Sequence, residues 1–266
     1  MHPSNSPIPE ILITPNTPLA LVTGGSRGLG RSTALKLAEQ GCDVIVTYLT
    51  HRGEAEEVVN LIRQAGRLAA ALPLNAADIK TFDRFAADLR EALQHTFQRD
   101  RFTYLVNNAG TGMDASFAET TEEQFDQLMN VHLKGVFFLT QKLLPLIADG
   151  GRIVNISSGL TRFCFPGKAA YAAMKGGVEV LSRYMAKELG PRRIAVNVVA
   201  PGAIETDFGG GAVRDNPGVN QLVASVTALG RAGLPDDIGG AIAQLLAPQS
   251  AWINAQRIEI SGGMNL

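Results

Sequence analysis

The stretch LALVTGGSRGLG, residues 19–30, indicates how this chain folds. Its first four residues form a short apolar run that is typical of a buried strand, and a helical pattern begins at about Leu29. The turn between them holds Gly24, Gly28 and Gly30, so its backbone can approach a phosphate group closely. The N-terminus of the following helix offers free N–H groups and a partial positive charge. The stretch therefore predicts a dinucleotide-binding strand–turn–helix unit, the alternative being a tight turn that binds no ligand.

The alternation of strand and helix continues along the chain. Further strands are predicted at residues 44–47, 68–74, 104–106, 153–156, 195–199 and 257–260, and helices at 29–40, 54–65, 81–95, 125–144, 171–189, 219–228 and 236–246. Asp236 is expected to cap the last helix, and the glycine-rich residues 207–220 are interpreted as a mobile flap. Strands that alternate with helices of this length predict a doubly wound α/β fold, in which helices cover both faces of a parallel sheet.

The composition is that of a globular protein without a strong charge. The chain has 266 residues, of which 45% are hydrophobic and 18% charged, and its net charge is −1. This charge gives no electrostatic reason to expect nucleic acid or an anionic membrane as a partner. Two separate cysteines suit a reducing compartment and the four histidines lack metal-ligand spacing, so we expect a cytoplasmic protein without a metal. Residues 1–16 are interpreted as a disordered tail and residues 17–266 as a single domain.

The residues after the second strand indicate which dinucleotide binds. Folds that use NAD often place a carboxylate there to bind the ribose 2′-OH. Here the strand runs into Tyr48, His51 and Arg52 with no acidic residue, and Arg27 lies in the glycine-rich turn. A cationic pocket without a carboxylate suits a 2′-phosphate. The sequence therefore predicts NADP, unless both arginines are simply solvated.

Tyr171 and Lys175 are four residues apart in a predicted helix, which places both on one face. A neighbouring ammonium favours the phenolate, so we expect the pKa of Tyr171 to be lowered from its reference value of about 10. A tyrosine tuned in this way can give or take a proton at a carbonyl or alcohol oxygen. Alone, the pair is weak evidence and a solvated helix face is the favoured interpretation, so its meaning depends on the rest of the chain.

Three further segments lie where predicted strands end. Asn107-Asn108-Ala109-Gly110, Ser157-Ser158 and Pro201-Gly202 follow the fourth, fifth and sixth strands. The carboxyl ends of parallel strands form the ligand crevice of such folds. Together with Thr23-Gly24-x-x-x-Gly28-x-Gly30 and Tyr171-x-x-x-Lys175, these segments resemble the short-chain dehydrogenase/reductase family in its single-domain branch. Residues 230–235 and 260–263 are similar to the 3-oxoacyl-[acyl-carrier-protein] reductases.

The resemblance implies a fold and a set of roles. The fold would be a Rossmann-type sheet of seven parallel strands in the order 3-2-1-4-5-6-7, with NADP across its C-terminal edge. Ser158 would hold the substrate oxygen, Tyr171 would be the general acid, and Lys175 would tune that acid and hold the nicotinamide ribose. The implied cofactor contacts are Gly24, Ser26, Arg27, Gly28, Leu29, Gly30, Tyr48, Arg52, Asn75, Ala76, Asn107, Ala109, Gly110, Tyr171, Lys175, Pro201, Gly202, Ile204 and Thr206.

One position departs from the family pattern. The family usually has an asparagine in the helix at 125–144, where this sequence has His132. Asn130 lies two residues away and is expected to point to another face of the helix. An imidazole can both donate and accept a hydrogen bond. We therefore expect His132 to be a fourth catalytic residue that relays a proton, the alternative being a buried histidine with no kinetic role.

The expected substrate pocket is mostly apolar. Its predicted lining is Ser158, Leu160, Phe163, Phe165 and Phe208, with Met113 and Cys164 nearby. No lysine or arginine is clearly aimed at an acid group, with the exception of Arg162. This lining suggests an uncharged or hydrophobic ketone or its alcohol, and a 3-oxoacyl thioester is the alternative. Phe163 and Phe165 are equally open to a role as core or subunit contacts.

Three functions are compatible with these residues. The first is an NADP-dependent oxidoreductase that interconverts a ketone and a secondary alcohol. The second is a dinucleotide-binding regulatory or scaffold protein with little turnover, against which the intact set of Ser158, Tyr171 and Lys175 argues. The third is dehydration or epimerisation on the same fold. The resemblance also implies a homotetramer or dimer built on the helix at 125–144 and the helix that carries Tyr171.

Overall fold

The apolar runs of the sequence form the strands of one parallel sheet. The computed structural model describes residues 17–266, so the predicted disordered tail, residues 1–16, lies outside the described residues. In chain order the strands are Leu19–Val22 (β1), Asp43–Tyr48 (β2), Ala69–Pro73 (β3), Phe102–Asn107 (β4), Ile147–Ile156 (β5), Ala195–Pro201 (β6) and Arg257–Ile260 (β7). The α-helices are Gly28–Glu39 (α1), Arg52–Gln64 (α2), Phe82–His95 (α3), Glu122–Met129 (α4), Gly135–Leu143 (α5), Ala169–Leu189 (α6), Ala212–Asp215 (α7), Pro217–Ser225 (α8) and Pro235–Leu246 (α9).

The strands pair in parallel in the order β3-β2-β1-β4-β5-β6-β7, which confirms the implied topology. Leu21 of β1, for example, pairs with Ile45 on one side and Leu105 on the other. Because helices cover both faces, β1 and β6 are buried at every position, and both are apolar throughout apart from Asn197 in β6. The parallel arrangement brings the residues that follow β1, β4, β5 and β6 to one edge of the sheet.

Two hydrophobic clusters hold the layers together. One joins the sheet to α1, α2 and α9 through buried residues such as Leu37 and Ile242. The other joins it to α3, α5 and α6 through residues such as Phe85 and Leu139. Within residues 17–266, no helix is both long and apolar enough to cross a membrane.

The prediction of one continuous helix at residues 125–144 is wrong in one respect. A five-residue π-helical turn, Asn130–Lys134, separates α4 from α5. The turn is followed by Gly135, where a Cβ would lie only 2.1 Å from the carbonyl oxygen of Ala76. A hydrophobic pattern with a period of 3.6 does not reveal a local widening of this kind, and such π-turns frequently mark functional sites. Here the turn carries His132 into the interior, where its side chain is buried.

The prediction that Asp236 caps α9 is also wrong, by one residue. The carboxylate of Asp237 accepts a hydrogen bond from the backbone N–H of Leu234 at 2.7 Å. Asp236 instead accepts from the hydroxyl of Ser32 at 2.6 Å, which fastens α9 to α1. Both carboxylates lie in the first turn of α9, and the tertiary contact to α1 decides which one is free to cap.

The segment at 207–220, predicted to be a mobile flap, is folded. It contains a short helical turn at Phe208–Gly211, then α7 and α8. Gly209, Gly210 and Gly211 have φ values of 62°, 73° and 77°, which is the left-handed region that glycine adopts without strain. Asn216 caps α8 by accepting from two backbone N–H groups. The glycines therefore serve a tight local turn between helices.

Candidate active site

The glycine-rich turn lies against the segment that follows β4. Gly24 has a φ of +64°, and a Cβ at this position would lie 3.0 Å from the Cα of Ala109. A Cβ at Gly30 would lie 2.2 Å from the carbonyl oxygen of Gly24. The hydroxyl of Thr23 accepts from the backbone N–H groups of Asn108 and Ala109, both at 3.0 Å. These contacts fix a narrow, side-chain-free cradle at the start of α1.

Asn108 is a structural residue of this cradle that sequence reasoning did not assign. Its side-chain amide donates to the carbonyl oxygens of Thr23 and Gly24, at 2.9 and 3.1 Å. The Asn107-Asn108-Ala109-Gly110 motif carried the signal, but it did not show which asparagine faces the glycine turn. Ser26 is buried in the same turn, and Leu29 packs on the core from α1.

The cationic residues predicted to bind a 2′-phosphate lie at the surface. Arg27 immediately precedes α1, and its guanidinium is 3.7 Å from the carboxylate of Asp207. Arg52 is 3.7 Å from Glu56. Both ion pairs are exposed and long, so they contribute little to the stability of the fold. Each guanidinium is therefore free to change partner. No side chain caps the first turn of α1, so the N–H groups there are also free for an anion.

The structure separates two of the predicted adenosine contacts. Asn75 lies after β3, where its side-chain oxygen accepts from the N–H of Ala77 at 3.0 Å. Asn107 is buried, and its amide donates to Thr140 and to Asn155 at 3.0 and 2.8 Å. The side chain of Asn107 is thus engaged inside the protein, and the prediction that it lines the adenosine side is wrong for that side chain. The physical reason is that successive side chains of a strand point to opposite faces of the sheet, and the side chain of Asn107 points to the face that α5 covers.

The remaining predicted contacts lie at the same edge of the sheet. Tyr48 ends β2 and is half-buried. The carbonyl oxygen of Ala76 packs against Gly135, the residue that follows the π-turn. Pro201 ends β6, and a Cβ at Gly202 would lie 2.9 Å from the Cα of Ser261. Ile204 forms a bridge with Gly233.

Thr206 brings the segment after β6 to the glycine-rich turn. It is buried, and its hydroxyl accepts a hydrogen bond from the N–H of Phe208 at 3.2 Å. Its side chain faces Gly28, where an added Cβ would lie 3.6 Å from the Cβ of Thr206. The phosphate cradle and the segment that carries Phe208 are therefore in direct contact.

The four predicted catalytic residues come together around the ring of Tyr171. Tyr171 shares a hydrogen bond with Ser158. The ammonium nitrogen of Lys175 is 5.6 Å from the centroid of the Tyr171 ring, and the ring of His132 meets it edge-on at 5.0 Å between centroids. Three elements contribute to this group: the end of β5, the start of α6 and the π-turn.

The electrostatics of Tyr171 differ from the sequence-based expectation. Burial raises the pKa of Tyr171, and only the hydrogen bond with Ser158 opposes this rise. Lys175 is not among the groups that shift this pKa, and its ammonium group donates to the carbonyl oxygen of Ile156 at 2.7 Å. Burial also lowers the pKa of Lys175 to about 7. The phenol is therefore protonated at neutral pH, which is the form that donates a proton.

Ser158 is oriented by a short helical turn, Gly159–Thr161. Its side-chain oxygen accepts from the N–H of Leu160 at 3.2 Å, which caps that turn. A serine hydroxyl that accepts in this way keeps its own hydrogen for donation. Ser158 can therefore present a hydrogen-bond donor to an oxygen placed beside Tyr171.

His132 is held as a neutral ring. Its Nε2 lies 2.8 Å from the carbonyl oxygen of Thr111 and 3.4 Å from the backbone nitrogen of the same residue, and the shorter contact favours a proton on Nε2. Its Nδ1 is buried and has no hydrogen-bond partner within residues 17–266. Burial first, and then the charge of Lys175, lower the pKa of His132 to about 3. The neutral ring thus presents an unpaired acceptor beside the group around Tyr171.

The predicted aromatic lining divides into two parts. The ring of Phe208 lies 5.8 Å from that of Tyr171, and Leu160 packs in the same small cluster as Tyr171. Phe163 and Phe165 contact each other at 5.6 Å. A small cavity beside Tyr171 is lined by Met113, Ala115, Thr120, Gln124, Leu128, Gly167 and Ala170. Of these, only Met113 was expected from the sequence, because the others come from α4, from the first turn of α6 and from loops that the fold brings in.

Arg162 is not available to a substrate. Its guanidinium makes a bidentate contact with Glu259, at 2.8 and 2.6 Å, and donates to the carbonyl oxygen of Asn265 at 2.8 Å. The expectation that it could be aimed at an acid group is wrong, since its donors are used within the protein. No group of three or more potential metal ligands occurs among the described residues.

Comparisons with known proteins agree along almost the whole chain. A family model described as enoyl-(acyl carrier protein) reductase matches residues 24–265. The 3-oxoacyl-[acyl-carrier-protein] reductase FabG of Staphylococcus aureus is 38% identical over 250 residues, which are 93% of this chain and 98% of that protein. The hydroxynaphthalene reductase-like protein Arp2 of Metarhizium brunneum is 36% identical over 256 residues, which are 92% and 94% of the two chains.

Two solved structures are similar throughout. LugOII, a promiscuous reductase that catalyses keto-reduction at C1 during lugdunomycin biosynthesis, superimposes with a TM-score of 0.89 at 37% identity, over 96% of this chain and 99% of that one. The angucycline C-6 ketoreductase LanV with bound NADP has a TM-score of 0.88 at 35% identity, over 93% and 95% of the chains.

Proposed function

Because this chain belongs to the short-chain dehydrogenase/reductase family, we propose that it is an NADPH-dependent enzyme that reduces a ketone to a secondary alcohol. The observation that carries the proposal is the buried group of Ser158, Tyr171 and Lys175 at the carboxyl edge of the sheet, with a protonated phenol at its centre. Residues 17–266 act as its single domain. A regulatory or scaffold protein is the weaker alternative, since it does not need this group.

The glycine-rich turn fits a dinucleotide. Backbone atoms fill the positions that a Cβ would take at Gly24 and Gly30, and the first turn of α1 is uncapped. Gly24, Ser26, Gly28 and Gly30 would hold the pyrophosphate. Arg27 and Arg52 would hold the 2′-phosphate. The further contacts proposed on the cofactor side are Leu29, Tyr48, Asn75, Ala76, Ala109, Gly110, Pro201, Gly202, Ile204 and Thr206.

The residues around Tyr171 handle the oxygen and its proton. When bound, NADPH supplies the hydride. Ser158 donates a hydrogen bond to the carbonyl oxygen of the substrate and orients it, and Tyr171 gives its proton to that oxygen. Lys175 stabilises the phenolate that is left and holds the nicotinamide ribose. Because Tyr171 is protonated at neutral pH, its resting form is suited to reduction.

The substrate that we propose is an uncharged, apolar ketone. Phe208, whose ring lies 5.8 Å from that of Tyr171, offers apolar surface, and Arg162 is bound to Glu259. LugOII catalyses keto-reduction at C1 during lugdunomycin biosynthesis, LanV is an angucycline C-6 ketoreductase, and the Arp2 relative is named for hydroxynaphthalene reduction. A cyclic aromatic ketone is therefore the first choice, and a 3-oxoacyl thioester, suggested by the FabG relative, is the second.

The test is NADPH and NADH consumption by the purified protein against cyclic aromatic ketones and 3-oxoacyl thioesters, with product analysis. We expect NADPH to be consumed in proportion to the alcohol formed, and NADH to be used weakly. Turnover of a ketone without a change in the redox state of the cofactor would favour dehydration or epimerisation. Tight binding of NADPH without any turnover across the panel would favour the regulatory alternative.

Arg27→Gln is expected to raise the KM for NADPH by about 10-fold while leaving the KM for NADH unchanged, because only NADPH carries the phosphate that the guanidinium would bind. Steady-state kinetics with both cofactors measure the effect. Arg31→Gln is the matched control, since Arg31 lies on α1 and pairs with Glu57 at 3.6 Å. Equal losses with NADH and NADPH in Arg27→Gln would contradict the 2′-phosphate role.

His132→Asn is expected to reduce the loss of stability in acid. Between pH 6.5 and about 3 the unfolded chain binds a proton that folded His132 does not, so stability falls as the pH drops through this window. The loss is about 1.4 kcal/mol per pH unit, and asparagine removes it because it does not titrate. Melting temperatures between neutral and acidic pH measure it, with the exposed His51→Asn as control.

The same variant tests the proton relay that we propose for His132. Nδ1, the atom that has no partner among the described residues, would take up a proton and give it up again, while Nε2 keeps its own proton on the carbonyl oxygen of Thr111. His132→Asn should then lower kcat and change its pH profile. Unchanged turnover and an unchanged profile would leave His132 as a packing residue for Tyr171.

The oligomer that we propose is a homotetramer or dimer. A groove between α5 and α6 is lined by Phe137, Leu144, Leu181, Tyr184 and Met185. Phe137 and Tyr184 are exposed there, and helix faces of this kind suit association with a second copy. Light scattering of the full chain measures the mass directly. The cytoplasmic location stays a prediction from composition.

A further inference from the structure

Glu179 lies on α6, eight residues after Tyr171 and four after Lys175, so the three side chains occupy one face of the helix. Its side chain is only 14% exposed. It points to the end of β5, where Ser158 begins the short helical turn described above.

One carboxylate oxygen of Glu179 accepts three hydrogen bonds. The donors are the hydroxyl of Ser157 at 2.7 Å, the hydroxyl of Thr161 at 2.7 Å and the Nε of Arg257 at 2.8 Å. Ser157 and Thr161 flank the segment that presents Ser158. The carboxylate thus connects the helix that carries Tyr171 to both ends of the segment that carries Ser158.

Arg257 strengthens this connection from β7. Its second guanidinium nitrogen donates to the hydroxyl of Thr161 at 3.1 Å and lies 3.4 Å from the carbonyl oxygen of Ser158. Its third nitrogen donates to Glu259 at 3.0 Å. Arg257 therefore holds Thr161 and Ser158 from β7, and Glu259, two residues further along the same face of the strand, holds Arg257.

Arg162 completes an alternating row of charges. Glu259 accepts from Arg162 and from Arg257, and Arg162 also donates to the carbonyl oxygens of Met264 and Asn265. The contact with Arg162 lowers the pKa of Glu259 to about 2, so that carboxylate is charged at neutral pH. The row Glu179–Arg257–Glu259–Arg162 has no net charge. It links α6, the Ser158 segment, β7 and the C-terminal residues.

We propose that Glu179 is a positioning residue for the reaction, which sets the place of the Ser158 hydroxyl relative to the Tyr171 phenol through Ser157, Thr161 and Arg257. This inference rests on the proposed ketone reduction, because the same site is involved. Glu179 touches neither the reacting oxygen nor the cofactor. Its charge keeps three donors on one oxygen, and charge-assisted hydrogen bonds are stronger and more directional than neutral ones.

The test compares Glu179→Gln with Glu39→Gln. Glutamine keeps the size of the side chain and removes the charge, and Glu39 is a helical glutamate that accepts from Lys36 at 3.0 Å, at the far end of α1. Glu179→Gln should lower kcat by about 10-fold, since small misplacements of catalytic groups have effects of this order. The dissociation constant of NADPH, measured by its fluorescence, should change by less than about two-fold. Glu39→Gln should leave both unchanged.

A second comparison separates positioning from general stability. Ser157→Ala should lower kcat as well, and the double variant with Glu179→Gln should lose less than the product of the single losses, because both residues act through one contact. Hydrogen exchange of the peptide that covers residues 157–163 should accelerate in Glu179→Gln, while exchange in α1, α9 and the inner strands stays the same.

The outcomes are distinguishable. A kcat within about two-fold of the unmodified enzyme would overturn the proposal. So would faster exchange throughout the chain, because the loss of activity would then follow from general destabilisation. If the unmodified protein reduces no ketone, the proposed function fails, and a positioning role for Glu179 fails with it. In that case, faster hydrogen exchange confined to residues 157–163 in Glu179→Gln would show that Glu179 stabilises this segment and has no role in a reaction.

Discussion

Tyr171→Phe is expected to lower kcat for ketone reduction by about 10²- to 10⁴-fold, because the variant lacks the proton donor. The ring keeps its edge contact with His132 at 5.0 Å and its contact with Phe208 at 5.8 Å. The fold and the binding of NADPH should therefore change little. Consumption of NADPH with the best ketone of the panel measures the loss, and NADPH fluorescence measures binding.

The control for this variant is Tyr184→Phe. Tyr184 lies on the same helix and its side chain is exposed, so the identical chemical change should leave kcat unaffected. Retention of more than about a tenth of the activity in Tyr171→Phe would contradict the general-acid role, since proton transfer accounts for larger factors. Loss of NADPH binding in that variant would show instead that the hydroxyl acts on the cofactor.

Lys175→Met is expected to lower kcat/KM by about 10²- to 10³-fold, because an ammonium that would stabilise the developing phenolate is removed. Methionine has a similar length and no charge, which suits a side chain that is nearly fully buried. In the unmodified enzyme, burial lowers the pKa of Lys175 to about 7. The ammonium form is therefore populated below about pH 7 and lost above it. We expect kcat/KM for reduction to fall as the pH rises through this value.

The stability of the same variant gives an independent measurement. Between about pH 7 and pH 10.5, the unfolded chain binds a proton at Lys175 that the folded chain does not. The contribution of this group to stability therefore falls as the pH is lowered through that window, by about 1.4 kcal/mol per pH unit. Lys175→Met should lack this slope, so its melting temperature should vary less with pH. A variant with the slope and activity of the unmodified enzyme would contradict the assignment.

The fold follows from local features of the sequence. Residues 19–22 are apolar at every position because both faces of the strand are buried, and the glycines after them are required by backbone contacts as close as 2.2 Å. Strands and helices of ordinary length alternate from there to Ile260. The order of the strands, implied by the family resemblance, is the observed one.

The sequence also determined which side chains meet at the site. Ser158 comes directly after a buried strand, and Tyr171 and Lys175 share a helix face, so the edge of the sheet had to bring them near one another. Spacing along a helix places Tyr171 and Lys175 on one face, and the family resemblance supplied the expectation that Ser158 joins them.

Only the tertiary structure decided the charge states and the partners of these residues. Burial, which depends on every element around Tyr171, raises the pKa of Tyr171, whereas the sequence showed only a nearby lysine. The π-turn that turns His132 inward, the engagement of Asn107 within the sheet layer and the carboxylate of Glu179 on Ser157 and Thr161 all depend on contacts between distant segments. A periodic pattern records which face of an element is apolar. It does not record the desolvation of a buried group or the partner that satisfies it, because both are set by the packing of the whole fold.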